Sequence, residues 1–213
     1  SVQAQYNSLN LIPQPVELKI DKGSFTLTKS AAVSFNKPEC KEIAEMLVNK
    51  LNTATGFKLK ASYGNKAAIQ LNLNSNPDAR LGSEGYSLLS SSKGILITAN
   101  QLAGLFYGMQ TLLQLLPAEI ESKAVVSKKW TIPAVSIKDF PRFAWRGLML
   151  DVSRNFFTKE EVKQYIDEMA RFKFNTFHWR IALHKCTYLG MLVGICYCHG
   201  SFDACNVKHG KMA

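Results

Sequence analysis

The sequence predicts an α/β fold: an α+β N-terminal domain with a sheet and packed helices, followed by the start of an incomplete TIM barrel. Short segments of alternating apolar residues and two helical segments fill the first 137 residues, which is typical of helices packed on a sheet. Residues 146–180 then read as strand, helix and strand, the opening unit of a parallel barrel. The 33 residues after Arg180 are too few to complete eight strands.

The N-terminal domain is predicted to span residues 1–137. Segments in which apolar and polar residues alternate are expected to be strands. The last two flank residues 90–93 and are expected to form a hairpin. The predicted strands are 16–20, 24–27, 68–73, 85–89 and 94–98.

Two helices are predicted in this domain from apolar residues spaced three or four apart. Gly56 is expected to end the first helix. Asn100 is expected to N-cap the second, and Pro117 to end it. The apolar stripes consist of Ile43, Met46, Leu47 and Leu51 in the first helix and of Leu102, Leu105, Phe106, Met109, Leu112, Leu113 and Leu116 in the second.

A second domain is predicted at 138–180. Residues 119–133 read as a loop that leads to a strand or linker, and a turn signal in 137–142 marks the junction. The following helix has complete local signals: Thr158 as N-cap and Glu161 completing a capping box, with Phe157 packing on Val162. Its apolar face is predicted to hold Val162, Tyr165, Ile166, Met169 and Phe172.

The two strands of this domain carry polar residues at their carboxyl ends, where barrels and open α/β sheets bind ligands. The first strand, 146–152, is apolar except at its ends, as expected of a strand buried on both faces. Asp151 ends it, and Ser153 and Arg154 follow.

The second strand ends with His178, Trp179 and Arg180. An indole beside charged hydrogen-bonding groups suits a sugar, because the ring stacks and its hydroxyls take charged partners. The alternative is structural: an ion pair from Asp151 to Arg154 or to Arg146 that only braces the barrel mouth.

Residues 143–157, Phe-Ala-Trp-Arg-Gly-Leu-Met-Leu-Asp-Val-Ser-Arg-Asn-Phe-Phe, closely resemble the start of the catalytic barrel in the β-N-acetylhexosaminidases (glycoside hydrolase family 20). Residues 11–15, 84–88 and 104–115 are similar to that family's non-catalytic α/β domain. Because these motifs occur in the family's order, the resemblance covers roughly residues 10–180.

The resemblance implies removal of terminal N-acetylglucosamine or N-acetylgalactosamine with retention of configuration. The substrate's acetamido oxygen attacks the anomeric carbon in such enzymes. The resemblance also assigns Arg146 to the ring hydroxyls of the terminal sugar. Asp151 would shape or brace the pocket with Ser153 and Arg154, and His178 lies in the family's His-Trp segment.

The family's catalysis needs an adjacent Asp-Glu pair, of which Glu is the general acid and Asp orients the acetamide. The one Asp-Glu dipeptide in this sequence is Asp167-Glu168, interpreted as solvated helix surface. No catalytic residue is assigned, and the chain as given is predicted to be inactive. A non-catalytic carbohydrate-binding or structural role is the alternative.

Residues 181–213 are predicted to be an unrelated tail, since the family pattern stops at Arg180, as in a truncated or frameshifted product. Four of the five cysteines and three of the four histidines lie there. Adventitious disulfides and zinc are both open, although no common zinc spacing is matched, and no metal or other cofactor is assigned. The cysteines and histidines of this tail are Cys186, Cys196, Cys198, Cys205, His184, His199 and His209.

Composition limits the partners. The net charge of +10 is scattered rather than blocked, so no nucleic-acid-binding arm is expected. No apolar run reaches the 18 residues of a membrane span. Residues 1–4 resemble the flank of a signal-peptidase site, which predicts a secreted or periplasmic protein. The expected partners are N-acetylhexosamine-containing glycans, with non-specific self-association through the uncovered strand edge at 174–179.

Overall fold

The computed structural model describes residues 9–64, 66–152 and 155–180, together with the backbone of one further strand at 196–199. The chain divides into two compact units, Ser1–Arg142 and Phe143–Ala213. Within the described residues, no helix is both long and apolar enough to cross a membrane.

The first unit contains a mixed seven-stranded sheet. Its strands are β1 (Glu17–Thr26), β2 (Val33–Phe35), β3 (Ala61–Tyr63), β4 (Ile69–Leu73), β5 (Tyr86–Ser91), β6 (Gly94–Ala99) and β7 (Thr131–Asp139). They lie in the order β1-β7-β5-β6-β4-β2-β3. Strand β2 pairs in parallel with β3 and β4, and β4 with β6. The other pairs are antiparallel, including the predicted β5–β6 hairpin.

Two helices pack on this sheet: α1 (Lys41–Thr55) and α2 (Leu102–Leu115). Gly56 ends α1 as predicted, in the left-handed conformation with φ 69°, and donates its N–H to the Asn52 carbonyl. Alternate residues of β4 and β6 are buried, so one face of these strands belongs to the core. That core also includes Leu47, Leu51 and Leu112.

Helix α2 lies unusually close to the sheet because it carries glycine at two contact positions. A Cβ at Gly104 would meet the Gly85 carbonyl oxygen, and one at Gly108 would lie 2.5 Å from the Ile97 Cγ2. Neither separation is sterically possible for a side chain. These glycines therefore set the distance between the helix and strands β5 and β6.

The predicted N-cap of α2 is wrong. Gln101 occupies the cap position and makes no side-chain cap bond. The Asn100 side chain accepts a hydrogen bond from the Asp78 N–H and donates to the carbonyls of Asp78 and Gly82. A tertiary contact thus uses the side chain that local propensity assigns to the cap.

The two short strands predicted near the N-terminus form one strand, β1, whose pairing with β7 is irregular between Ile20 and Ser24. Residues 119–133 were expected to be a loop leading to a strand or linker, with a turn at 137–142. A strand is present, but it runs over nine residues from Thr131 to Asp139, and Ile137 within it is fully buried. Pro133 lies within β7 opposite Ser24, beside the irregularity, where a missing N–H is tolerated. The three-residue strands β2 and β3 were not predicted.

Several loops are held by a recurring arrangement, here called an amide clasp. In each clasp one side-chain amide donates to the carbonyl and accepts from the N–H of a single distant residue. The Asn36 amide makes both bonds to Leu73 at 2.9 Å. The equivalent pairs are Asn52 with Leu59, Gln114 with Ile12, and Asn100 with Asp78.

A buried polar network lies near the end of β7. The Tyr86 hydroxyl is 2.6 Å from the Thr111 hydroxyl and donates to the Asp139 carboxylate at 3.0 Å. Asp139 also accepts from the Val16 N–H at 3.3 Å. Burial and the negative charge of Asp139 raise the pKa of Tyr86 well above 10.0, so the hydroxyl stays protonated and donates at all ordinary pH values.

The second unit confirms the predicted β-α-β order: β8 (Gly147–Asp151), α3 (Lys159–Arg171) and β9 (Thr176–Arg180). Strands β8 and β9 are parallel, in a register that runs from Gly147 opposite Thr176 to Asp151 opposite Arg180. A strand β10 (Cys196–His199) pairs antiparallel with β9. The edge of β9 predicted to be uncovered is therefore paired over these residues.

The capping box of α3 is confirmed. The Thr158 side chain accepts from the Glu161 N–H, and the Glu161 carboxylate accepts from the Thr158 N–H at 2.7 Å. Bonds from the Thr158 N–H and hydroxyl lower the pKa of Glu161 below its ordinary 4.5. Phe157 packs on the cluster that includes Val162, as predicted. Phe172, expected on the apolar face, is the C-cap residue and is 38% exposed.

Strand β8 is not buried on both faces. None of its residues is fully buried, and Met149 is 53% exposed. In the part of this unit that the structure describes, the fully buried apolar cluster consists of Val162, Met169 and Phe177. The prediction fails because only one face of the strand is covered by α3.

Candidate functional site

The two faces of the β8–β9 pair differ in chemistry. Leu148 and Leu150 of β8 pack with Phe177 and Trp179 of β9 on the cluster that contains the α3 residue Val162. Because side chains alternate along a strand, the residues between them lie on the opposite face. That face carries Met149, Asp151, His178 and Arg180, and is here called the polar face.

The carboxyl edge of the polar face holds an ion pair. The Asp151 Oδ2 lies 3.8 Å from the Arg180 Nη1, with side-chain exposures of 14% and 59%. The Val152 N–H donates to the Arg180 carbonyl at 3.1 Å, which extends the pairing of β8 and β9 by one residue. The structure adds Arg180 as a partner of Asp151. Of the partners that the sequence suggested, Arg154 lies outside the described residues, and the pairing with Arg146 stays a prediction.

His178 and Met149 are directly opposite each other across the two strands. His178 is half-buried, and the neighbouring Met149 is largely exposed. The structure thus places His178 on the same face as Asp151, as required if both contribute to one site. His178 lies two register positions closer to the amino end than Asp151, which is the next position on the same face.

Trp179, which the sequence suggested as a stacking platform for a sugar, lies on the other face. Its ring stacks on Phe177 at 6.3 Å with an interplanar angle of 28°. Its Nε1 is buried and has no hydrogen-bond partner among the residues that the structure describes. Alternation within the sequence His178-Trp179-Arg180 explains this, since the middle residue must point away from its two neighbours.

Arg146 lies at the amino end of β8, which places its backbone about 16 Å from that of Asp151 at the usual strand rise. Its Nε donates to the Lys173 carbonyl and its Nη1 to the Phe143 carbonyl, both at 2.8 Å. Lys173 is buried with φ 62°, an unusual conformation for a residue other than glycine. These two bonds tie the Arg146 side chain to the turn between α3 and β9 and to the segment before β8. Its predicted role toward the ring hydroxyls of a sugar stays a prediction.

Asn175 belongs to the same amino-end network and was not predicted from the sequence. Its Oδ1 accepts from the Arg146 N–H at 3.0 Å and its Nδ2 donates to the Ala144 carbonyl at 2.7 Å. Its own N–H donates to the Arg146 carbonyl at 3.0 Å. These bonds fix the register of the two strands, and through it the pairing of Asp151 with Arg180.

Asp167 and Glu168 are both exposed on α3, as the sequence interpretation expected. Glu168 lies 3.5 Å from Arg171 one turn further along the helix. They are therefore solvated residues on the surface of α3. This helix packs on the face of β8 and β9 that is opposite to the polar face.

Other predicted positions lie outside the described residues. These are Ser153, Arg154 and the tail positions Cys186, Cys205, His184 and His209, and the side chains of Cys196, Cys198 and His199. Among the residues that are described, no three His, Cys, Asp or Glu side chains lie close enough to hold a metal ion.

The chemistry available on the polar face is hydrogen bonding to a neutral polar ligand. A carboxylate accepts two hydroxyl hydrogens, and a guanidinium donates to two oxygens in one plane. The imidazole of His178 adds one donor or acceptor. Hydroxyl groups on neighbouring carbons of a sugar match this set.

Comparison with known proteins gives consistent matches. Residues 8–140 match the model for glycosyl hydrolase family 20, domain 2. Residues 143–185 match the model for the glycosyl hydrolase family 20 catalytic domain. The first match alone covers more than half of the 213 residues.

Among curated proteins, a beta-hexosaminidase of Porphyromonas gingivalis is 40% identical over 174 residues, which are 81% of this chain and 22% of that protein. A beta-N-acetylhexosaminidase of Cellulomonas fimi is 31% identical over 186 residues, 81% of this chain and 36% of that protein. The chain thus spans between about a fifth and about a third of the length of these relatives.

Among solved structures, an N-acetyl-beta-hexosaminidase of Streptomyces plicatus in complex with Thio-NAglucal matches with a TM-score of 0.76 and 38% identity. The match covers 81% of this chain and 34% of that one. A chitobiase of Flavobacterium johnsoniae matches with a TM-score of 0.67 and 35% identity, over 83% of this chain and 27% of that one.

Proposed function

This chain belongs to glycosyl hydrolase family 20, and from that membership we propose that it represents the N-terminal α/β domain and first β-α-β unit of a β-N-acetylhexosaminidase. The reaction proposed for the complete architecture is removal of a terminal N-acetylglucosamine or N-acetylgalactosamine from a glycan, with retention of configuration. Substrate assistance by the acetamido group replaces an enzyme nucleophile in this chemistry.

The observation that supports carbohydrate recognition is the polar face. Asp151 and Arg180 form an ion pair at 3.8 Å at the carboxyl edge, and His178 lies two register positions nearer the amino end on the same face. The carboxyl edge is where barrel enzymes bind substrate. Two donors of Arg146 bind backbone carbonyls at the opposite edge, and the role toward the ring hydroxyls that the resemblance gives Arg146 remains part of the proposal.

We propose no turnover for this chain by itself. The reaction needs a carboxylic acid beside the glycosidic oxygen and a carboxylate beside the acetamide. The one Asp-Glu dipeptide of the sequence, Asp167-Glu168, is exposed on α3. A second candidate function, carbohydrate binding without catalysis, is favoured by the same placement.

A chromogenic N-acetyl-β-glucosaminide separates these functions. The purified chain is expected to release no aryl alcohol above the blank, while N-acetylglucosamine produces chemical-shift changes in its NMR spectrum. The variant Asp151→Asn should weaken that binding about tenfold through loss of charge-assisted hydrogen bonds. The variant Asp167→Asn on the exposed side of α3 is the matched control and should bind normally.

Two results would contradict the proposal. Aryl release that disappears in Glu168→Gln would place the catalytic acid on α3. Absence of any N-acetylglucosamine binding by the parent chain would remove both the sugar-recognition role of the polar face and the non-catalytic alternative.

A further inference from the structure

We infer that Phe156 is the aromatic platform of the proposed sugar site, packing its ring against the apolar face of an N-acetylhexosamine bound by Asp151, His178 and Arg180. This inference rests on the proposed function and names a specificity residue for it.

A sugar site built from charged hydrogen-bonding groups usually needs an aromatic partner, because one side of a pyranose ring presents C–H groups that polar residues cannot satisfy. Trp179 is the aromatic residue nearest to these groups in the sequence. Its ring stacks on Phe177 on the opposite face of the sheet. The aromatic partner of the polar face must therefore come from elsewhere.

Phe156 has the position and the exposure required. It lies between the end of β8 at Asp151 and the start of α3 at Lys159, and so on the carboxyl side of the sheet. It is 89% exposed. The next residue, Phe157, is half-buried on the α3 cluster. Of two adjacent phenylalanines, one contributes to the core and the other is left in solvent.

Covering this exposed ring with the C–H face of a sugar would remove apolar area from water, which is favourable. The other exposed aromatic residues described in this unit lie elsewhere. Phe143 at 66% and Trp145 at 65% precede β8 and so lie at its amino end, and Phe172 at 38% ends α3 just before β9. Phe156 differs from them by lying at the edge that carries Asp151 and Arg180. This difference in position supplies a matched control.

The test is titration of the whole chain with N-acetylglucosamine, followed by saturation-transfer NMR and protein chemical shifts. The variant Phe156→Ala should weaken binding about threefold to tenfold, the range expected for loss of one aromatic contact. Phe156→Trp should retain binding, and saturation transfer to the sugar's ring protons should fall in the alanine variant only. The matched variant Phe143→Ala should leave the affinity unchanged.

The outcomes separate the inference from the function on which it rests. If the parent chain binds N-acetylglucosamine and Phe156→Ala binds equally well, the inference is overturned and the proposed function stands. If the parent chain binds no N-acetylglucosamine, both fail together. Thermal unfolding of each variant checks that the exposed substitution leaves the fold unchanged, and a variant that unfolds is replaced by Phe156→Leu, which keeps apolar volume but removes the ring.

Discussion

The two units of this chain bury apolar surface to very different degrees. In the first, two helices and a seven-stranded sheet enclose residues such as Leu71, Leu88 and Leu112, all at 0% exposure. In the described part of the second, one helix covers one face of a strand pair, while Met149 on the other face is 53% exposed. Tertiary burial therefore stabilises the first unit, whereas local signals such as the Thr158 capping box account for a larger share of the stability of the second.

Truncating one leucine in each unit gives the largest expected effect and tests whether the two units depend differently on burial. Leu112→Ala is expected to lower the free energy of unfolding of the first unit by about 2–5 kcal/mol, because it leaves a cavity in a closed core. Leu148→Ala, at a half-buried position of β8, should cost the second unit about 1 kcal/mol by loss of partial burial alone. Urea unfolding measures both, with Trp130 fluorescence reporting on the first unit. Equal losses at the two positions would contradict the contrast.

The close approach of α2 to the sheet gives the next largest effect. Gly104→Ala normally improves helix propensity by about 1 kcal/mol. Here the new Cβ would collide with the Gly85 carbonyl, so a net loss of about 1–3 kcal/mol is expected. Gln110→Ala, half-buried on the same helix, is the control and should be near neutral. Stabilisation by Gly104→Ala in a thermal melt would show that the helix can move away at no cost.

The capping box tests how much a local signal contributes to the stability of the second unit. Thr158→Ala removes the acceptor for the Glu161 N–H and should destabilise the second unit by about 1 kcal/mol. Thr158→Ser keeps the acceptor and should behave like the parent. Amide exchange of residues 159–162 measures fraying of the first turn directly. Unchanged protection in the alanine variant would mean that packing of Phe157 alone holds this end.

The smallest effect is a difference in pH dependence. A hydrogen bond from Lys138, joined by one from the Arg80 N–H, lowers the pKa of Asp78 below its ordinary 3.8. The carboxylate therefore adds stability that is fully present above pH 4 and is lost as the pH falls through the lowered folded value. Lys138→Met should flatten the acid limb of the stability curve of the first unit, measured by thermal unfolding between pH 2 and 6. A parallel shift of the whole curve would assign Lys138 a packing role instead.

Sequence reasoning succeeded where the determinants are adjacent in the chain. The capping box needs only Thr158 and Glu161, and the end of α1 needs only Gly56. It failed where a distant partner decides, as at Asn100, whose amide is bound by the Asp78–Gly82 loop. Strands of three residues, such as β2, are too short to show alternation. Pro133 made strand β7 hard to predict, because the irregularity in β1 that accommodates this proline lies more than a hundred residues earlier in the chain.

The residues of the candidate site likewise differ in whether local sequence or distant contacts determine their placement. Asp151 and His178 could be predicted, because polar residues at the ends of apolar strands mark the carboxyl edge. The face on which Trp179 lies follows from alternation only once the strand's buried side is known. Arg146 was assigned from resemblance, and its bonds to Lys173 and Phe143 depend on the turn after α3, which no local pattern encodes.

The amide clasps also determine how the fold responds to deamidation of its side-chain amides. Spontaneous deamidation converts a carboxamide into a carboxylate, which accepts hydrogen bonds but donates none. At Asn36 or Asn52 such a change would set a negative oxygen against a peptide carbonyl that now receives an N–H. One bond of each clasp would become a repulsion, so a single hydrolysed side chain would loosen the loop that it ties to Leu73 or to Leu59. The clasps thus make these loops sensitive to a chemical change of one side chain as well as to unfolding of the domain.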